Sequence, residues 1–373
     1  MRSGPTLVGV SPPPALAEVA SIAVLRANAM GDYLVCEPAL AAIRVAAPQA
    51  RITLLGGSFA ASALPHRPGP VDEVVLVPYL DGLRQPPSGT GVDDVEVAHF
   101  YDQMGTRRFD LALQLHGGGR NSNPVVLALG AACTAGLRAF DAPALDRSVD
   151  YQFWQHEVFR YLEVAAAIGA PPVRVQPHFE VLPEDLQVSF ACVPKQQRPL
   201  VVVHPGATDP RRRWPASHFA QVADALTDRG ALVCVIGNEE EVHPVADRAR
   251  DVRVLTDTSF AQLVGLLARA TLLVGNDSGP RHLAEAVGTP TVSVYWCGNM
   301  VNAGPTVRHN HRAHISWTTH CPVCGISMVG EPFPARCCDT VTCVSDVPVA
   351  HVLGSALELF EQAHHQPNTS VGG

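Results

Sequence analysis

The sequence predicts an α/β chain of two doubly wound parallel sheets facing a cleft, and three observations carry that expectation. Short apolar runs alternate with helical or polar segments. The same pattern restarts after Pro199. A length of 373 residues suits two domains at about 100–200 residues each. In open sheets of this kind ligands bind beyond the carboxyl ends of the strands, so the cleft is the default site.

The first strand reads as Ile22–Leu25, four apolar residues in a row, followed by a loop over Arg26–Asp32. A helix is expected over 37–46, with Leu40, Ile43 and Ala47 at helical spacing. The run Ile52–Leu55 ends in Gly56-Gly57, and Val74–Val77 and Leu111–Leu115 continue the series; uninterrupted apolar runs suit parallel strands covered on both faces. Past a joint near Pro183–Pro199, strands are expected at Leu200–Val203, Ala231–Ile236, Leu272–Val274 and Thr291–Val294, with helices at Ala216–Arg229, Phe260–Ala270 and Pro280–Val287. The expected domains are 1–185 and 199–346. A last helix over 347–366 shows Val352, Leu353, Ala356, Leu357 and Phe360 on one face. The tail Pro367–Gly373 is expected to be disordered.

Composition excludes several classes of function. Lys and Arg number 27 against 35 Asp and Glu, a net charge of −8 with no basic block, which argues against nucleic acid as a partner. Apolar residues at 47% and charged ones at 17% exclude wholesale disorder. The opening stretch Met1–Pro14 lacks a signal-peptide pattern, and the apolar runs fall far short of the roughly 18–20 residues that span a bilayer. The expectation is a cytoplasmic protein without a membrane span, which leaves room for peripheral association. Gly117-Gly118-Gly119 lacks dinucleotide-binding spacing, and neither a Walker A sequence nor a D-x-D pair occurs, so an anionic ligand would need helix termini and basic side chains.

Four loops offer those groups. Gly275–Leu283 (GNDSGPRHL) leaves a strand and enters a helix, so Asp277, Ser278, Gly279 and His282 either cradle a pyrophosphate or only cap and pack. His204–Pro215 carries Thr208 and the run Arg211-Arg212-Arg213, forked donors for phosphate or a solvated face, anchored by Trp214-Pro215. Gly237–Glu241 places Glu239 and Glu241 after a strand, suited to a ribose diol or simply to a helix N-terminus. Asn28–Asp32 ends in a carboxylate that is either a general base or a cap. Asp110, Gln114, His116 and Gly117–Arg120 surround another N-terminal strand and are candidates for the acceptor side.

Five cysteines, Cys321, Cys324, Cys337, Cys338 and Cys343, crowd one segment. They read as a structural zinc site, as disulfides or as thiols, because the adjacent pair and the count of five fit no standard finger.

Together the segments Leu25–Arg44 (LRANAMGDYLVCEPALAAIR), His204–Leu226 (HPGATDPRRRWPASHFAQVADAL) and Gly275–Val294 (GNDSGPRHLAEAVGTPTVSV) resemble glycosyltransferase family 9, the ADP-heptose:lipopolysaccharide heptosyltransferases, across Ile22 to Leu359. The resemblance implies a GT-B fold and inverting glycosyl transfer that needs no catalytic metal or other cofactor. It implies a nucleotide-sugar donor such as ADP-heptose and an acceptor hydroxyl on an envelope glycan or small natural product. By the same resemblance Asp32 is the general base, with Asn28, Met30, Gly31, Gln114 and His116 on the acceptor side. Thr208, Arg212, Arg213, Asp277, Ser278, Gly279 and His282 fall on the donor, with Glu239 or Glu241 on its ribose. Arg212 stands where the family usually has Lys, and Tyr295–Asn299 replaces a Gly-Pro-Thr-like turn. The last helix is expected to return to the N-terminal half, and the cysteines, which some family members share, to be structural. Two other readings keep the same cleft: a GT-B-like sugar-nucleotide epimerase or hydrolase, and a non-catalytic sugar-nucleotide-binding protein.

Overall fold

The computed structural model describes residues 15–86, 88, 90–329 and 342–365, and the chain divides into two units, Met1–Pro177 and His178–Gly373. In the first unit β1 (Ser21–Arg26), β2 (Arg51–Gly56), β3 (Glu73–Leu76), β4 (Leu111–Gln114), β5 (Cys133–Arg138) and β6 (Arg147–Asp150) form one sheet in the order β3-β2-β1-β4-β5-β6, every pairing parallel. The helices are α1 (Met30–Ala46), α2 (Ser58–Ala63), α3 (Asp94–Thr106), α4 (Ser122–Ala128) and, after the last strand, α5 (Glu157–Ala167). Ile22, Val24, Leu25, Ile52, Leu54 and Leu113 are fully buried, as apolar runs covered on both faces should be.

The second unit opens with α6 (Pro183–Cys192) and repeats the plan. Its strands are β7 (Leu200–His204), β8 (Leu232–Ile236), β9 (Arg253–Leu255), β10 (Leu272–Asn276), β11 (Thr291–Trp296) and β12 (His311–Ser316), in the order β12-β11-β10-β7-β8-β9 and again all parallel. Its helices are α7 (Ala216–Asp228), α8 (Glu239–Ala246), α9 (Phe260–Arg269), α10 (Gly279–Ala286), α11 (Cys297–Ala303) and α12 (Val349–His365). Counted from its own first strand, each sheet has the order 3-2-1-4-5-6. The strand order therefore reverses between β1 and β4 in one unit and between β7 and β10 in the other, where loops diverge and leave a crevice at the carboxyl ends.

Several expectations need correction. The units divide at 177/178 rather than at 185, because α6 packs on α9 and belongs to the second unit. Gly265 permits that approach, since a Cβ there would collide with the Asp185 carbonyl, and Arg269 then ties Ser189 Oγ (2.8 Å) and the Val193 carbonyl (2.9 Å). Helix α12, expected to return to the N-terminal half, uses its apolar face on the second unit: Val352, Ala356, Leu359 and Phe360 share a core with Phe219, Leu226 and Val292. Helix α1 begins at Met30, seven residues before the expected start at 37, so Met30, Gly31 and Asp32 form its first turn rather than a loop. Residues 366–373 lie outside the described region. Among the described residues no helix is long and apolar enough to cross a membrane.

Candidate active site

In the second unit, two loops flank the switch point between β7 and β10. The first begins at His204 and runs to Trp214, and none of its three arginines is a loosely solvated charge. Asp209 accepts from the Arg211 amide (3.0 Å) and pairs with the buried Arg211 guanidinium (2.7 Å). The Arg211 carbonyl in turn accepts from the Cys343 amide at 2.7 Å. Arg212 donates through Nη1 to Asp277 Oδ2 at 2.8 Å, while Arg213 donates to the Ala207 carbonyl at 2.9 Å and pairs with Glu241 at 3.2 Å. Asn276 staples the two loops, accepting from the Trp214 amide (3.1 Å) and donating to the Pro205 carbonyl (2.7 Å). Trp214 Nε1 donates to the Val347 carbonyl at 3.0 Å, fixing the loop to the segment before α12.

Asp277 is the hub of the second loop. Its carboxylate, 3% exposed as a residue, also accepts from Asn299 Nδ2 at 2.8 Å and faces His282 Nε2 at 3.3 Å. Burial alone would raise its pKa, but the His282 hydrogen bond and the charges of His282, Arg212 and Arg281 outweigh it and hold the carboxyl at about 2. Arg281 Nη2 lies 2.5 Å from His282 Nδ1 and 3.2 Å from its Nε2, so the ring is held between Arg281 and Asp277. Arg281 is itself buried and paired with Glu285. Ser278 stands at the N-cap of α10 without capping it, its hydroxyl lying 3.1 Å from His204 Nδ1. A helix N-terminus without a side-chain cap, next to the guanidinium of Arg212, is suited to an anion.

The two candidate carboxylates of α8, Glu239 and Glu241, differ. Glu241 is the third helical residue: Asn238 caps its amide (3.0 Å) and its own side chain returns to the Asn238 amide (3.3 Å). It packs against Gly206, where any Cβ would strike the carboxylate. Glu241 is thus a brace for Arg213, whereas Glu239 and Thr208 are exposed and face solvent.

In the first unit Asp32 and His116 both lie at the switch point between β1 and β4, where Arg26 pairs with Asp32 and its charge acts on His116. Asp32 is the third residue of α1 and does what a cap does, its Oδ2 accepting from the Ala29 amide at 3.2 Å. Its Oδ1 meanwhile accepts from Arg26 Nη2 at 2.9 Å. Arg26, 4% exposed, also reaches the Leu115 carbonyl (3.0 Å), the Tyr161 hydroxyl (2.6 Å) and Glu157 (3.0 Å). Burial works against its charge, but Tyr161, Glu157 and Asp32 more than offset that and raise its pKa further. Met30 and Gly31 are partly exposed beside Asp32, and Asn28 is exposed.

His116 accepts from the Ala27 amide through Nδ1 (3.3 Å), and burial, with the Arg26 charge, lowers its pKa to about 3. Gln114, expected on the acceptor side, is buried and committed to the His116 and Gly117 carbonyls, Ser122 Oγ and the Leu137 amide, so it shapes the loop. Asp110 lies at the opposite end of the sheet, where it accepts from the Ala20 and Ser21 amides.

His116 and His204, held near 3 and 4, titrate far below the ordinary 6.5. The unfolded chain therefore binds more protons than the folded one below pH 6.5, so stability is full above that value and falls as the pH drops towards 4. Thermal melts from pH 7.5 to 4.5 should show this decline, and His204→Gln should make it shallower.

Among the cysteines, Cys321 and Cys343 are buried in one apolar cluster, Cys324 is exposed, and Cys337 and Cys338 lie outside the described residues. Among the described residues no group of three or more potential ligands could hold a metal.

Glu157, Tyr161 and Asn299 lie outside the three segments that carry the resemblance, and Arg26 lies within one of them without being singled out. Arg26 did carry a signal, as a charge closing an otherwise apolar strand, since a buried guanidinium must find partners.

A family model described as glycosyltransferase family 9 (heptosyltransferase) matches residues 97–324. Lipooligosaccharide heptosyltransferase 2 of Haemophilus influenzae is 33% identical over 110 residues, 26% of this chain and 32% of that one. Lipopolysaccharide heptosyltransferase 2 of Escherichia coli K12 is 28% identical over 170 residues, 40% of this chain and 48% of that one. The match thus spans about a third to a half of the length of these curated relatives. The solved E. coli ADP-heptose lps heptosyltransferase II superposes with a TM-score of 0.71 at 21% identity, over 92% of this chain and 99% of that one, and shares the fold.

Proposed function

Because the chain belongs to glycosyltransferase family 9, we propose that it moves a heptose from ADP-heptose to a hydroxyl of an envelope glycan or small natural product, with inversion and without a catalytic metal. The observation that carries this reading is the joining of Arg212, Asp277 and His282 at the N-terminus of α10, on the crevice of the second sheet. Asp277 holds Arg212 through one nitrogen only, which leaves the rest of the fork for a diphosphate. The α10 amides add partial positive charge on the same side. ADP as the nucleotide is supported by the name of the E. coli structure that shares the fold, and the exposed Glu239 suits the ribose diol.

In the proposed reaction the acceptor oxygen attacks the anomeric carbon as the bond to the diphosphate oxygen breaks. The acceptor proton passes to Asp32, and the electron pair of the broken bond stays on the diphosphate. Arg212 and the helix terminus are preorganised for that charge, so no solvent need reorganise as it develops. Asp32 suits the base role because Arg26 and the Ala29 amide fix its orientation. A thermal-shift comparison of ADP-, GDP-, UDP- and dTDP-sugars tests the donor side. A rise in Tm with the ADP-sugar alone is expected, and no response to any would overturn the reading. Donor consumption without acceptor at the full rate of transfer would point to an epimerase or hydrolase instead.

We also propose that the cysteine segment holds a structural metal, with zinc as the candidate. Cys321 and Cys343 supply two buried thiols, and two of Cys324, Cys337 and Cys338 would complete a tetrahedral set. Metal analysis should find about one equivalent per chain, released by chelator together with a lowered Tm. Five titratable thiols without metal would overturn this.

A further inference from the structure

In the first unit all strands run parallel, so the loops after β1, β4, β5 and β6 gather at the edge that carries Asp32. The loop after β6, residues 151–155, is aromatic and held firmly. Arg160, 1% exposed, donates from Nη2 to the carbonyls of Gln152 (2.7 Å), Phe153 (3.1 Å) and Gln155 (2.9 Å). Its guanidinium also lies 4.5 Å from the centre of the Tyr151 ring. Arg160 faces Glu157 at 3.6 Å, Glu157 binds Arg26, and Arg26 binds Asp32, so one chain of charges joins this loop to the carboxylate. The loop presents Trp154, 46% exposed, with the Phe153 ring edge-on to it at 4.8 Å. Beside it, the loop after β5 holds Phe140 at 97% exposure. The two loops adjoin, since the Tyr151 amide donates to the Arg138 carbonyl (2.9 Å), while the Ala139 amide ties the loop after β5 to the Gly118 carbonyl of the loop after β4 (2.7 Å).

An exposed ring on a freely moving loop would need no explanation. A tryptophan held out to solvent on a backbone pinned by a buried arginine is different, because rigidity removes the entropy that binding would otherwise lose. The charge around it selects the occupant. Asp141 is paired with Arg120, and Glu157 with Arg26 and Arg160, so the patch carries little unpaired charge with which to attract an anionic bilayer surface. An aromatic face with little unpaired charge around it suits a neutral sugar, whose C–H face covers the ring. Three strand spacings separate β1 from β6, roughly 14 Å, which suits an oligosaccharide rather than a single ring.

We infer that residues 151–155, with Trp154 and the neighbouring Phe140, form an acceptor subsite that stacks a neutral sugar ring of the acceptor glycan remote from the reacting hydroxyl. This rests on the proposed glycosyl transfer and specifies what the same site receives. The probe is deacylated lipopolysaccharide core oligosaccharide, titrated by tryptophan fluorescence and by calorimetry, with ADP binding measured in parallel. Wild type should show a fluorescence change on titration. Trp154→Ala should lose that change and bind the oligosaccharide roughly tenfold more weakly, with ADP affinity and Tm unchanged, and Trp154→Phe should restore most of the affinity. Equal affinity in wild type and Trp154→Ala, or no binding by wild type, overturns the subsite. A change with phosphatidylglycerol vesicles but not with oligosaccharide overturns it in favour of a membrane surface. ADP binding without oligosaccharide stacking removes the subsite alone. Oligosaccharide stacking without ADP binding removes the proposed transfer and leaves the subsite standing.

Discussion

Asp32→Asn is expected to lower kcat for sugar transfer by about 10²–10⁴-fold while leaving ADP-sugar affinity within a factor of two. Asparagine retains an oxygen that can accept from the Ala29 amide, so the first turn of α1 keeps its cap. What it lacks is a basic oxygen for the acceptor proton. The substitution also removes one of the two carboxylates on Arg26, but Glu157, Tyr161 and the Leu115 carbonyl still hold that guanidinium. Folding should therefore survive, and a circular-dichroism melt within a few degrees of wild type separates lost chemistry from lost structure. Loss of donor affinity together with turnover would assign Asp32 a purely structural role.

The second large effect is expected at Arg212. Arg212→Ala should reduce kcat by about 10²–10³-fold, the usual effect of removing one preorganised charge-stabilising donor, and should also raise the donor KM. Asp277 would keep Asn299 and His282 as partners, so the buried carboxylate is not stranded. Arg212→Lys should recover part of kcat, because a lysine supplies the charge but not the fork. Arg211→Ala makes the contrast. That side chain is buried against Asp209 and should act through stability, with kcat preserved in the protein that folds. Single-turnover rates and KM for each variant decide between the two patterns.

Much of the loop proposed to hold the donor is legible because its residues are close in sequence and sit at strand-to-helix junctions. Asp277, Ser278 and His282 lie within six residues, and a parallel strand ending in a polar loop announces where they go. The arginine run was legible in position but not in role, since three adjacent guanidinium groups find separate partners: Asp209, Asp277 and Glu241. Those partners depend on which way each side chain turns, and spacing alone does not fix that. The surroundings of Asp32 were the least legible part. Arg26 meets Glu157 across 131 positions, and no local pattern encodes such a pairing. The strands β5, β6, β9 and β12 escape a reading by apolar runs for a related reason, as Cys133–Arg138 is partly polar, Arg253–Leu255 is only three residues long, and both are carried by their neighbours in the sheet. The start of α1 reads late, at 37 instead of Met30, because the Asn28–Asp32 stretch resembles loop.

The attachment of Arg211 and Trp214 to residues 343 and 347 governs where the second unit can be cut for recombinant work. A fragment ending after β12 would retain all six strands and both loops at the switch point. It would nonetheless lose the Cys343 amide beneath the Arg211 carbonyl, the Val347 carbonyl that orients the Trp214 indole, and the Phe360 side of the core. A piece of the second unit that keeps these contacts therefore runs from α6 through α12.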